Sequence, residues 1–118
     1  MTARSWAVHL AAAAESDFGE IVGWTAQRFD ANQAHAYAQT LSTALAALAN
    51  GPESIGARPR GDLGNGLHTL HVATRKRRGR HFIVFRMSAD KDRPTIDVLR
   101  ILHDTMDLAR QLASDEQG

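Results

Sequence analysis

Residues 67–102 read LHTLHVATRKRRGRHFIVFRMSADKDRPTIDVLRIL, and three strand patterns lie within them. LHTLHVAT (67–74) and HFIVFRMS (81–88) flank the run RKRRGR (75–80), which makes them a hairpin with that run at its tip. Gly79 is expected to supply the backbone freedom that the turn requires. TIDVLRIL (95–102) is nearly all apolar or β-branched, the pattern of a strand covered on both faces.

On the N-terminal side the period changes. SWAVHL (5–10) alternates Trp6, Val8 and Leu10 against Ser5, Ala7 and His9, as a short strand does. From Ala12 to Arg28, with Phe29 just beyond, the residues Phe18, Ile21, Val22 and Phe29 recur at helical spacing while Glu15, Asp17, Glu20 and Gln27 lie towards other faces. The acidic residues gather in the N-terminal half of this helix, as its dipole prefers. Asp30 offers a cap for a second helix, Gln33 can complete a box-like arrangement, and Ala34, Tyr37, Ala38, Leu41, Leu45 and Leu48 trace one stripe. Asn50-Gly51-Pro52 ends it, because Gly accepts a left-handed residue and Pro cannot continue the ladder. Residues 53–66, rich in Gly, Arg and Pro, form an irregular connection. After the last strand, HDTMDLARQL (103–112) returns to helical spacing through Met106, Ala109 and Leu112, with an Asp107–Arg110 pair.

The order is β-α-α-β-β-β-α: an α+β fold in which a small twisted antiparallel sheet carries an N-terminal helical hairpin and a short C-terminal helix. At 118 residues, with 43% apolar and 23% charged, residues 1–118 are expected to form a single domain with a core of its own. The chain has no cysteine, which excludes disulfides, thiolate metal sites and a cysteine nucleophile. Neither a signal peptide nor a spanning helix is legible, so a cytoplasmic protein is expected. The net charge of +1 hides an uneven surface, with Arg75, Lys76, Arg77, Arg78 and Arg80 in one run and Asp104, Asp107, Asp115 and Glu116 near the end.

Few residues suggest chemistry of their own. His68 and His71 stand three apart on a strand and point to opposite faces, which argues against a zinc site. His81 and His103 could each join one of them across the sheet, although histidines satisfied by hydrogen bonds are the commoner outcome. The basic tip reads either as a contact for nucleic acid phosphates or as a solvated turn. Trp24 lies off the main helical stripe; a margin of the sheet or an interface would suit it, with core packing the favoured role.

Together these elements resemble the ParE toxins of the ParE/RelE superfamily. The matching stretches are DFGEIVGWTAQRF (17–29), FDANQAHAYAQTL (29–41), PESIGARPRGDLGNGLHTLHV (52–72), HFIVFRM (81–87) and VLRILHDTMDLARQL (98–112), and the last is the most specific. ParE-like proteins usually have a shorter central hairpin, so the basic tip is a departure. The resemblance implies the toxin of a type II toxin–antitoxin pair that inhibits DNA gyrase by protein–protein binding, without a cofactor, metal or catalytic residues. It implies as partner a ParD-like antitoxin, with a ribbon-helix-helix start and a disordered C-terminal tail. It also concentrates on the final segment, which makes His103, Met106, Asp107 and Arg110 candidate target contacts, beside the tip residues Arg75, Lys76, Arg77, Arg78 and Arg80.

The sister RelE branch is similar in fold and cuts messenger RNA on the ribosome with Lys, Arg and Tyr side chains. The corresponding positions here hold Leu70, Phe82, Asp104 and Arg110, and apolar or acidic groups cannot stabilise a phosphorane-like charge. A ribosome-dependent endoribonuclease is therefore the alternative, with His71, Arg86, Arg100 and His103 as a substitute set; pairing with acids such as Asp97 or Asp104 is the structural reading of the two arginines.

Overall fold

A computed structural model describes residues 6–53, 56–88 and 94–117, apart from the side chains of 114–117. Strand β1 (Ala7–Leu10) leads into helices α1 (Ala12–Arg28) and α2 (Ala31–Ala47), the second ending in a 3-10 turn over Leu48–Asn50. Strands β2 (Ala57–Pro59), β3 (Leu67–His71), β4 (His81–Met87) and β5 (Thr95–His103) follow, and then helix α3 (Leu108–Gln117). The α+β order expected from periodicity is present, with β2 added inside what reads as an irregular connection.

The sheet order is β1-β5-β4-β3-β2. Pairing is antiparallel from β2 through β5, but β1 lies parallel to β5, with Ala7 opposite Thr95 and Leu10 opposite Val98. The sheet is thus mixed rather than wholly antiparallel. The helical hairpin carries the chain from one edge of the sheet to the other, which frees β1 from having to pair with its neighbour in sequence.

Local chemistry explains the helical hairpin. Asp30 accepts the Gln33 backbone N–H at 2.8 Å, capping α2. Ala34, Leu41 and Leu48 on the expected stripe are buried, as is Ala44. Gly51 ends the turn at φ 91°, and a Cβ there would run into the Trp6 ring, so both conformation and space require glycine.

Each face of the sheet has its own core. The helical hairpin covers Leu70, Val72, Ile83, Phe85, Ile96, Val98 and Ile101 with Ala14, Leu41, Ala44 and Leu48. On the opposite face Val84 and Leu102 pack with Leu108 and Leu112 of α3. The apolar β5 is covered on both sides, as its composition demands. Val98 and Ile101, three residues apart, nonetheless share one core, because a β-bulge leaves Leu99 unpaired between Val84–Arg100 and Phe85–Val98 and so shifts the alternation.

That bulge sits where β1 runs out. β1 covers the edge of β5 only as far as Val98, and beyond it Asp17 of α1 takes over. Its carboxylate accepts the Ile101 backbone N–H at 2.9 Å and two bonds from Arg100, from Nε at 2.7 Å and Nη2 at 2.8 Å. Asp17 is therefore buried, not turned to an outer face as helical periodicity predicts. Arg100 pairs with it rather than with Asp97 or Asp104.

The last helix begins later than its periodicity predicts. His103 closes β5, residues 104–106 turn, and Asp107 caps α3 by accepting the Arg110 backbone N–H at 3.2 Å. Asp107 and Arg110 thus meet through a cap, not through a side-chain pair.

Candidate functional site

The connection from β3 to β4 does not stand out as a free loop. Thr74 Oγ1 accepts the backbone N–H groups of Lys76 and Arg77, and the chain then doubles back over α2. Gly79 is needed here for space, not for backbone freedom: its φ is not positive, and a Cβ would collide with Val72 and approach the Tyr37 hydroxyl to 3.2 Å. Arg77 Nη1 reaches Thr40 Oγ1 at 3.4 Å, which ties the basic tip to α2.

Between this loop and the turn of the helical hairpin lies an open groove of about 720 Å³. Trp24, Phe29 and Tyr37 supply one wall, Arg77, Arg78 and Arg80 the other, and His81 and His103 lie at its base. Trp24 is 57% exposed and Phe29 64%, their rings edge-to-face at 6.2 Å. Core packing, the role favoured for Trp24 from sequence, does not hold, and Phe29 likewise lies outside the core.

Behind the groove runs a polar network. The Arg80 backbone N–H donates to the Tyr37 hydroxyl at 3.0 Å, and the same hydroxyl is hydrogen-bonded to His81 Nδ1 at 2.7 Å. His71 Nε2 meets Asp104 Oδ2 at 2.9 Å, while His71 Nδ1 accepts the Ala73 N–H at 3.1 Å. His103 Nδ1 accepts the Thr105 N–H at 3.2 Å. In all three rings Nδ1 is thus occupied, and in His71 and His103 it is the acceptor. Arg80 Nε bonds Asp104 at 3.2 and 3.3 Å. The hydrogen bond from His71, and then Arg80, holds the Asp104 carboxyl below its ordinary value, whereas burial raises that of Tyr37.

Burial, and then the neighbouring His103, push the His81 ring down from 6.5 to about 4. A base whose folded value lies below its unfolded one takes up its proton more readily in the unfolded chain. Its contribution to stability is complete above pH 6.5 and is lost as the pH falls towards about 4. Denaturant midpoints should accordingly drop across that window. His81→Gln, which keeps an acceptor for Tyr37 without titrating, should flatten the drop; an unchanged slope would assign it to other groups.

The structure sorts the candidate residues. Arg77, Arg78, Arg80 and His103 line the groove, while Arg75 and Lys76 lie exposed at the tip outside it. Met106, Asp107 and Arg110 are exposed around the start of α3, and Met106 is 44% accessible. His68 lies against Phe85 and His71 against Phe82 on opposite faces, whereas His81 and His103 face each other at 5.2 Å. The substitute set does not converge: His71 and His103 flank the start of β4, Arg86 lies near its far end, roughly 14 Å or more along the strand, and Arg100 is engaged by Asp17. Tyr37, Trp24 and Phe29 come to the groove from the helical hairpin, and no local motif marks them.

Among the described residues no helix is long and apolar enough to cross a membrane, and no group of three His, Asp or Glu side chains is placed to hold a metal ion. No curated protein matches the chain. A family model does, that of the ParE toxin of type II toxin–antitoxin system, parDE, over residues 8–108, from the first strand to the start of α3. With most of its length, both helices of the hairpin and strands β2 to β5 inside that match, along with all of β1 but Ala7, the chain belongs to the ParE toxin family of type II toxin–antitoxin systems.

Proposed function

We propose that this toxin acts in the cytoplasm as an inhibitor of DNA gyrase through protein–protein contact, without catalysis, and that a ParD-like antitoxin with a disordered C-terminal tail neutralises it. The observation that carries the non-catalytic reading is the state of the three clustered histidines. A general base needs an unshared ring nitrogen near its working pH. Here each Nδ1 is already hydrogen-bonded, His71 Nε2 is committed to Asp104, and His81 lies at about 4. Three of the four positions that correspond to the RelE-type catalytic residues support the same reading: Leu70 is 5% exposed within the core, Phe82 is apolar and Asp104 is acidic, and Arg110 alone keeps a cation. Met106 and Arg110 are exposed beside the end of the sheet, where a target could reach them without unfolding the chain.

Expression of the chain without its antitoxin, with plasmid supercoiling and transcript integrity followed together, tests the reading. The expected result is loss of negative supercoiling while transcripts stay intact. Transcript cleavage that precedes any change in supercoiling would replace it with the endoribonuclease reading.

A further inference from the structure

The geometry points to a second binding function: the groove between the helical hairpin turn and the basic loop is a site for single-stranded DNA, with bases on Trp24 and Phe29 and phosphates on Arg77, Arg78 and Arg80. The choice of DNA rests on the gyrase reading, in which the toxin works beside a DNA substrate. Single-strand sites combine a positively charged groove with aromatic side chains on which bases stack. Both are present. The lining includes Trp24, Phe29, Tyr37 and three arginines, and it contains no carboxylate. Arg28, just outside, lies 5.8 Å from the Trp24 ring centre.

The arginines are differently held. Arg77 is tied to Thr40, and Arg80 is oriented by Asp104, which offsets its charge. Arg78 is exposed and has no ion-pair partner among the described residues. Net positive charge in the groove therefore comes mainly from Arg77 and Arg78, on a loop whose path Gly79 and Tyr37 fix.

The lining also argues against a peptide helix as occupant. Helices dock through aliphatic and aromatic anchors into a matching apolar floor. Here no Leu, Ile, Val or Met lines the groove, and its aliphatic content is Ala73 alone. The lining hydroxyls are engaged within the chain: Thr25 bonds Ile21 O, Tyr37 bonds His81, and Thr74 accepts two amides. Beside the arginines, Gln33 and the imidazoles of His81 and His103 are the side chains left to meet base edges or a 2′-hydroxyl, so binding should be largely tolerant of sequence.

The test is a titration of the full chain with a fluorescently labelled twelve-nucleotide oligo(dT), in low salt and without gyrase. Binding should quench tryptophan fluorescence, and log K should fall with log salt by about 0.7 for each phosphate neutralised. Trp24→Ala and Phe29→Ala, both at exposed positions, should each weaken binding about tenfold with unfolding midpoints unchanged. Arg78→Ala should reduce the salt slope by roughly one phosphate. No binding at low salt, binding indifferent to Trp24 and Phe29, tighter binding of oligo(rU), or displacement of the oligonucleotide by an acidic amphipathic peptide would each overturn the site. Supercoiling inhibition measured in parallel separates the two ideas. Inhibition without oligo(dT) binding defeats the site alone, whereas oligo(dT) binding without inhibition defeats the gyrase reading and leaves the site standing.

Discussion

Asp17→Ala is expected to lower the stability of the domain by about 3–5 kcal/mol, a large part of the ~5–15 kcal/mol that holds such a domain together. The carboxylate is 9% exposed and does two things at once. It ends the open edge of β5 by accepting the Ile101 amide, and it balances the Arg100 guanidinium, whose side chain is 18% exposed. Removing it strands a buried donor and takes the carboxylate from a largely buried cation, and each loss costs more than the bond itself contributes. Asp17→Asn should fall between, since an amide oxygen can still serve Ile101. The joint variant Asp17→Leu/Arg100→Met should recover much of the loss, because apolar side chains of similar volume can replace a buried ion pair. Urea midpoints at constant m-value measure all three. If Asp17→Ala costs under about 1 kcal/mol, the pair behaves as a surface ion pair and β5 needs no such cap.

This pair also marks where reading the sequence stops. Asp17 and Arg100 are far apart in the chain, and helical periodicity assigns Asp17 to an outer face, so only the end of β1 at Val98 reveals why a carboxylate belongs inside. Periodic elements were legible: α1, α2 and the strands β3 to β5 follow from spacing and from composition, since each buries a face of its own. β2 was not, because Ala57-Arg58-Pro59 is a short, mostly exposed edge held through backbone bonds to β3, which leave no side-chain pattern. The parallel partner of β1 is equally invisible, as nothing in AVHL states which strand it meets. The start of α3 was legible in principle, for Asp107 is a capping residue, yet the spacing of Met106, Ala109 and Leu112 drew the helix too early. In the groove, the basic wall is plain in RKRRGR, but the aromatic wall comes from the turn between two helices. A helical pattern that counts Phe29 as core hides it.

Removal of residues 108–118 should damage the fold as severely, by ~4 kcal/mol or more, so loss of toxicity in such a truncation would not identify a target contact. Leu108 is 7% exposed and Leu112 8%, and both lie on Val84 and Leu102 in the core opposite the helical hairpin. Without α3, that face of β4 and β5 would meet water, and a Leu→Ala change at either position alone is expected to cost ~2–5 kcal/mol. Arg110 and Met106 carry none of this burden; both side chains are exposed, and only the backbone of Arg110 takes part in the cap. Arg110→Ala should thus leave the unfolding midpoint within ~0.5 kcal/mol of wild type. If the start of α3 faces gyrase, the same change should weaken supercoiling inhibition while antitoxin binding persists. Leu112→Ala should instead reduce stability, inhibition and antitoxin binding together. Equal loss of all three in Arg110→Ala would remove the C-terminal segment from the target surface and make it part of the scaffold alone.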